Sequence, residues 1–251
     1  MRNSNQLLFN SISELMGALD SAPVIHDRDN ASDERDKGND WCDTSSYQEA
    51  HDYMIAGKMY EGLSGDLNKY KTPGSKEKNK TYNDVVGYNV VVPLYLQNVP
   101  TCMVNKRKTI NNKIVTIVYD AAAPHWVEQN QMIETATELM RNIIKLEKDG
   151  YRVNLYVMDY NDNDNGYGFI LKLKNDRETL NIKKLCFPLI SSSFLRRIDF
   201  RIKERLYTDW IGGGYGHAGA SQKEIENFIY KLLKIKRYEV WNYEGKKFNK
   251  Q

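Results

Sequence analysis

Three consecutive stretches decide the fold class: Lys113-Ile114-Val115-Thr116-Ile117-Val118-Tyr119-Asp120, the segment from Val127 to Lys148, and Val153-Asn154-Leu155-Tyr156-Val157-Met158-Asp159. The first is a short apolar run rich in β-branched residues, the pattern of a strand buried on both faces. In the second, Ile133, Ala136, Met140, Ile143 and Leu146 recur near helical spacing, and Lys148-Asp149-Gly150 closes the run with a glycine suited to a left-handed cap. The third alternates for much of its length and reads as a second strand. Strand, long helix and strand form a β-α-β unit, whose crossover is expected to be right-handed. The turn-rich stretch from Asn161 to Gly168 then leads into Phe169 to Lys174, expected as an antiparallel strand beside the one before it. The fold class is therefore α/β, a mixed, mainly parallel sheet flanked by helices.

Working outward toward the C-terminus, helical and strand periods compete between Leu195 and Leu206, and a helix is the reading adopted. Ser221 with Glu224 is a capping-box signature opening a helix through about Lys236, and Tyr238 to Asn242 supplies a last strand. Toward the N-terminus, Val85 to Met103 has Val90, Val92, Leu94 and Leu96 at period two, interrupted by Pro93 and Pro100, which suits an irregular edge strand. Before it come a polar loop from Thr72 to Asn83 and a short helix through Met59, Leu63 and Leu67. A helix from about Ser46 to Ala56, ended by Gly57, precedes these. Val24 to Asp43 reads as a long loop, and Leu7 to Leu19 as one amphipathic helix. The expected organisation is an N-terminal helical and acidic linker region over 1–84 and an α/β domain over 85–251.

At 251 residues, 41% apolar and 27% charged, the chain can bury a core without metal or disulfide staples. Cys42, Cys102 and Cys186 are odd in number and widely spaced, so buried thiols are expected rather than a disulfide framework or zinc ribbon. No apolar stretch approaches the length of a membrane span, and no signal-peptide core is seen, so a cytosolic location is expected. The formal net charge of +3 hides an asymmetry. His26 to Asp66 holds eleven acidic against four basic residues, whereas Leu171 to Gln251 holds eighteen basic against nine acidic. The basic part could meet nucleic acid or the protein's own acidic segment.

Trp41, the run Ser46-Tyr47-Gln48-Glu49-Ala50, Gly57, Gly87 to Leu96, Val99-Pro100-Thr101-Cys102-Met103, Asp120, Gly150-Tyr151-Arg152-Val153, Leu195-Arg196-Arg197 with Phe200, and Gly214-Tyr215-Gly216 together resemble an uncharacterised family of tailed-phage proteins. The order of elements from Lys113 to Lys174 is similar to the opening of a von Willebrand A domain. That fold holds a divalent ion through Asp-x-Ser-x-Ser after its first strand, with later loops completing the site. Here the five positions are Asp120-Ala121-Ala122-Ala123-Pro124, so only Asp120 matches, while Thr208-Asp209 resembles the later metal-loop residues. The resemblance implies a degenerate metal site, no cofactor and a protein-binding carboxyl edge. It also makes a MoxR-type AAA+ ATPase a partner by analogy, with the host cytoplasm as the place of work and the virion as an alternative.

The candidate binding edge comprises Asp120, His125, Asp159, Thr208, Asp209, Gly214 and Tyr215. Asp120 and Asp159 end two strands where open α/β sheets place ligands, with Asp162 and Asp164 following. An alternative to pure binding is thus a divalent-metal phosphoesterase or nuclease that uses this pair. Gly212-Gly213-Gly214-Tyr215-Gly216-His217 lacks the Gly-Lys-Ser/Thr ending of a phosphate loop and reads as a turn, and His125 has no associated nucleophile motif. Arg197, Arg201 and Arg205 form a stripe at four-residue spacing that could contact nucleic-acid phosphates or pair with the acidic segment. No residue is assigned a catalytic role. The expected function is that of a phage-encoded adaptor or assembly factor, with a virion structural component as a third reading.

Overall fold

The computed structural model describes residues 5–25, 31–34, 42–60, 78–109, 113–124, 126–161, 166–207, 215 and 220–250. The three deciding stretches become β5 (Ile114–Asp120), the twenty-residue α5 (Gln129–Lys148) and β6 (Arg152–Asn161). β5 and β6 are parallel, with Asp120 opposite Met158, and β7 (Tyr167–Lys174) runs antiparallel to β6. The buried stripe of α5 is Met132, Ala136, Leu139, Met140, Ile143 and Ile144, so the helix is turned slightly from the face centred on Ile133, which is only partly buried. Each fully buried Leu or Ile on that stripe contributes about 2 kcal/mol. Gly150 ends the helix at φ +87°. Glu147, buried in the last turn, accepts from the Val153 N–H at 3.1 Å and the Lys174 ammonium at 2.8 Å, which ties the helix to the sheet.

The main sheet continues beyond this unit on both sides. Its order is β1-β7-β6-β5-β8-β9, with β1 (Gln6–Phe9) parallel to β7, β8 (Tyr238–Asn242) parallel to β5 and β9 (Gly245–Lys250) antiparallel to β8. The sheet is α/β and mixed, mostly parallel and flanked by helices. The first strand corrects the expectation of one helix over Leu7 to Leu19. Asn10 and Ser11 interrupt the segment, and Ser11 caps α1 (Ile12–Ser21) by accepting from the Glu14 N–H at 3.1 Å while Glu14 reaches back to the Asn10 N–H. Leu7 and Leu8 lie in the strand, and the helical spacing of the apolar residues spans the break only by coincidence of period.

Two more helices come before the small sheet. α2 is the single turn Ala31–Glu34, and α3 (Tyr47–Ala56) carries the expected Ser46 cap and stops at Gly57. Phe9, Leu15, Tyr47, Ala50 and Met54 share one apolar core with Ile117, Leu139, Val157 and Leu171. A boundary at 84/85 therefore does not separate two cores: the N-terminal elements complete the core built by the later strands. The α2 turn also interrupts the expected loop over Val24 to Asp43, whose residues 26–30 and 35–41 lie outside the described residues, as does most of the short helix expected through Met59, Leu63 and Leu67.

A second sheet of three antiparallel strands has the order β2-β4-β3, from β2 (Lys78–Asp84), β3 (Asn89–Val90) and β4 (Met103–Thr109). β2 takes the second half of the polar loop expected from Thr72 to Asn83, whose residues 72–77 lie outside the described residues, and the sheet replaces the long edge strand expected from Val85. The period-two residues Val92 to Leu96 form a short helix, α4, whose first turn holds Pro93. Proline there lacks only an N–H that the helix start leaves unpaired anyway.

The ambiguous segment after the sheet is helical throughout. α6 (Ile182–Ile190) is followed by a π-helical turn at Phe194–Asp199 and then α7 (Phe200–Leu206). α8 (Gln222–Leu233) opens on the full Ser221–Glu224 capping box. It packs Ile225, Phe228 and Ile229 on the face of the sheet that carries Val118, Met158 and Ile170, while α1, α3, α5, α6 and the π turn cover the other face. No helix among the described residues is long and apolar enough to cross a membrane.

Candidate functional site

β5 is the point where the winding of the sheet reverses. α5 leads from β5 to β6 on one side, and α8, on the opposite face, leads into β8 on the other. Chain connections diverge above the carboxyl end of β5, the place where doubly wound sheets open a crevice. A cleft of about 230 Å³ lies there, lined by Asp120, Tyr160, Asn242, Tyr243, Glu244 and Lys247 among others.

Asp120 is buried, and its carboxylate accepts from the Ala122 N–H at 3.2 Å and faces the Lys247 ammonium at 3.8 Å. Burial pushes its pKa up to about 7; Lys247 pulls it down and the charge of Asp159 pushes it up further. A carboxyl with that pKa exchanges its proton near neutral pH, which suits hydrogen bonding to a ligand in either form.

Asp159 does not share this cleft. Strand residues alternate between faces: Val118 and Met158 belong to the α8 side, whereas Tyr119, Val157 and Phe169, the residue opposite Asp159, belong to the α5 side. Asp120 follows Val118 by two and Asp159 follows Val157 by two, so the two carboxylates lie on opposite faces. Asp159 is buried and meets the Lys203 ammonium of α7 at 2.6 Å. Lys203 also holds Asp199, the last residue of the π turn, at 2.7 Å. Burial, then the charge of Asp159, raise the pKa of Asp199 well above the carboxylate range, and one of its oxygens has no hydrogen-bond partner. Burial alone would lower the pKa of Lys203, but the two carboxylates together outweigh it and raise it. One ammonium between two buried carboxylates, with Asp199 favoured in its acid form, makes the triad close to neutral. A phosphoesterase that used Asp120 and Asp159 jointly on one metal ion would need them on one face. Among the described residues no group of three or more His, Cys, Asp or Glu side chains converges as a metal site.

The arginine stripe resolves differently at each position. Arg197 has no exposed surface and donates to the carbonyls of Ser32, Asp33, Thr44 and Ser45 at 2.9 to 3.3 Å. A guanidinium so enclosed cannot reach a phosphate, which corrects its assignment to nucleic acid. Arg201 pairs with Asp33 at 2.7 Å and stacks on the Tyr47 ring, and Arg205 donates to the Pro23 carbonyl at 3.4 Å. The stripe thus clasps the acidic N-terminal segment. Glu204 joins the clasp by accepting from the N–H of Ser32, the Ser32 hydroxyl and the Tyr215 hydroxyl. Tyr215, expected at the binding edge, packs against Phe200 and supports this network. His125, Thr208, Asp209 and Gly214 lie outside the described residues, as do Asp162 and Asp164.

Sequence reasoning missed Lys247, Asn242, Tyr243 and Glu244, because the hairpin into β9 carries them and its pattern Gly245 to Lys250 has almost no apolar signal. The turn chemistry was legible: Asn242 accepts from the Glu244 N–H at 3.0 Å, and Gly245 takes φ +110°.

A doubly wound α/β protein with a polar cleft at its winding reversal, and with its strand-end carboxylates separated by the sheet, is the class these features define. The chain belongs to the family described as Domain of unknown function (DUF7192), whose profile matches residues 3–242 and so spans the N-terminal elements as well as the main sheet. No curated protein and no solved structure matches it.

Proposed function

We propose that the chain is a phage-encoded adaptor or assembly factor that binds a protein partner in the host cytoplasm. The observation that carries this reading is the concentration of apolar surface on the small sheet and its α4 turn. Val85, Val86, Tyr88, Val90, Val92, Tyr95 and Leu96 are all exposed within one short segment. Scattered exposed apolar residues are ordinary, but a contiguous set marks an interaction surface. Among the described residues β2 pairs only with β4, so the same sheet offers an edge that a partner strand can extend. The docking surface is thereby moved from the carboxyl edge to the small sheet. A MoxR-type AAA+ ATPase is the first partner to try, since the order β7-β6-β5-β8 with β7 antiparallel supports the von Willebrand A resemblance.

Replacing Tyr88, Tyr95 or, as a control, Tyr230 with a photo-crosslinking phenylalanine tests the surface; all three are exposed and Tyr230 lies on α8. Irradiation in host cells producing the chain should yield the same discrete protein adduct from Tyr88 and Tyr95 and none from Tyr230. Adducts of equal yield at all three positions, or none at any, would remove the support for this surface.

A further inference from the structure

We propose that the cleft at the winding reversal binds the adenine ring of a small ligand through Asp120 and Asn242. β5 and β8 pair in parallel with Tyr119 opposite Trp241, so Asp120 and Asn242 end adjacent strands side by side. Val118 and Val240 both pack on the α8 side of the sheet. Strand residues alternate between faces, so Asp120 and Asn242, two positions further on, project to that same side. Both line the cleft, and they are only 7% and 5% exposed.

Each of these buried side chains carries a polar atom that the fold leaves unused. One oxygen of Asp120 accepts from the Ala122 N–H at 3.2 Å, while the other stands 3.8 Å from the Lys247 ammonium, too far for a hydrogen bond. Asn242 accepts from the Glu244 N–H at 3.0 Å, which fixes its carbonyl oxygen toward the turn. Among the described residues its amide NH2 group has no hydrogen-bond partner. Polar atoms so enclosed are normally paired, and a ligand that pairs both recovers what their burial costs.

An acceptor beside a donor selects a ligand that presents a donor beside an acceptor. A phosphate offers acceptors alone and would meet two carboxylates, Asp120 and Glu244, against one ammonium, Lys247. An alkylammonium offers donors alone and would face the Asn242 NH2 group. The edge of adenine carries an amino donor next to a ring-nitrogen acceptor, a pair that protein side chains read bidentately. Tyr160 and Tyr243 line the same cleft, and Tyr160 is held against Phe228 with ring centroids 4.4 Å apart and planes 18° apart. Aromatic side chains of this kind are platforms on which bases stack. The cleft volume of about 230 Å³ falls below the range of about 300–1,000 Å³ that encloses drug-sized molecules, so it takes the base and leaves an attached sugar outside.

The test is isothermal titration calorimetry of the full chain with 9-methyladenine. 9-Methylpurine, which lacks the amino donor, should bind roughly 5- to 150-fold more weakly, and ribose, inorganic phosphate and methylammonium should give no measurable binding. Asp120→Asn turns the free acceptor into a donor, and Asn242→Asp turns the free donor into an acceptor. Each keeps the oxygen that accepts from Ala122 or Glu244, and each should weaken 9-methyladenine by a similar factor. The double variant restores an acceptor beside a donor with their places exchanged. A flat ring turned over meets that arrangement, so the double variant should regain most of the affinity. A merely structural role would instead make it worse than either single variant. Absence of 9-methyladenine binding by the parent chain, equal affinity for 9-methylpurine or ribose, or a folded double variant weaker than both single ones would each overturn the proposal. If a variant fails to fold, the comparison of 9-methyladenine with 9-methylpurine on the parent chain decides alone.

Discussion

Lys203→Met tests whether the ammonium of the buried triad offsets the charge of Asp159. The methionine keeps the length and apolar stem of lysine, so packing changes little, and the side chain is almost fully enclosed. Without the ammonium, Asp159 must either remain a bare carboxylate beside Asp199 or take up a proton. Protonating a carboxyl of ordinary pKa at pH 7 spans about three pH units at about 1.4 kcal/mol each, so the variant should lose about 4 kcal/mol. That agrees with the loss of about 3–5 kcal/mol when one partner of a buried ion pair is removed. The folded state then binds more protons than the unfolded state, and stability is lost as pH rises. The deficit should therefore shrink to about 1.5 kcal/mol at pH 5. Urea unfolding of the parent and the variant at both pH values measures it. A deficit that is the same at pH 5 and pH 7, or below about 1 kcal/mol at pH 7, would refute the electrostatic account. Adding Asp159→Asn to the variant should restore much of the loss, since the doubly substituted site carries no uncompensated charge at Asp159.

Asp120→Asn removes a carboxyl whose pKa rises to about 7 on folding. The parent should lose up to about 4 kcal/mol between pH 4 and pH 7 from this group, and urea titrations across that range should show a flatter profile for the variant. Arg197→Met strands the carbonyls of Ser32, Asp33, Thr44 and Ser45; a loss of at least about 3 kcal/mol by chemical denaturation is expected, and a loss under about 1 kcal/mol would show that the clasp is dispensable. Ile143→Asp, on the fully buried stripe of α5, should cost more than about 4 kcal/mol and exceed the cost of Ile133→Asp; the reverse order of thermal midpoints would mean the helix is turned differently. Val86→Ser with Leu96→Ser, both more than 70% exposed, should change stability by no more than about 0.5 kcal/mol, so that any loss of partner binding reports on the surface alone.

The sequence by itself determined the elements whose residues answer to local rules. Ile114 to Asp120 reads as a strand from its β-branched apolar run, with full burial reached from Ile117 onward, α5 repeats its apolar residues from Met132 to Leu146 over about four turns, and Ser46, Ser221, Gly57 and Gly150 punctuate helices through bonds made within a few residues. The parallel β5–β6 pair with antiparallel β7 follows from those elements and the right-handed crossover. Where the local pattern is silent, an element goes unread or is misread. α6 is buried all around, so Leu185 to Ile190 shows no period, and β1 is too short to outweigh the helical spacing that follows it.

Only the tertiary structure decided what the charged residues do. Both Asp120 and Asp159 end strands, and nothing in their spacing reveals that the two-residue alternation sends them to opposite faces of the sheet. Their lysines come from β9 and α7, far along the chain, and a pairing of that range leaves no local trace. The stripe of Arg197, Arg201 and Arg205 has the same spacing whether it faces solvent or the protein. It faces the protein because the acidic N-terminal segment folds back across α7 and offers carbonyls and Asp33 to satisfy it. Burying a guanidinium is tolerable only with such partners in place, and which partners arrive is a property of the assembled fold.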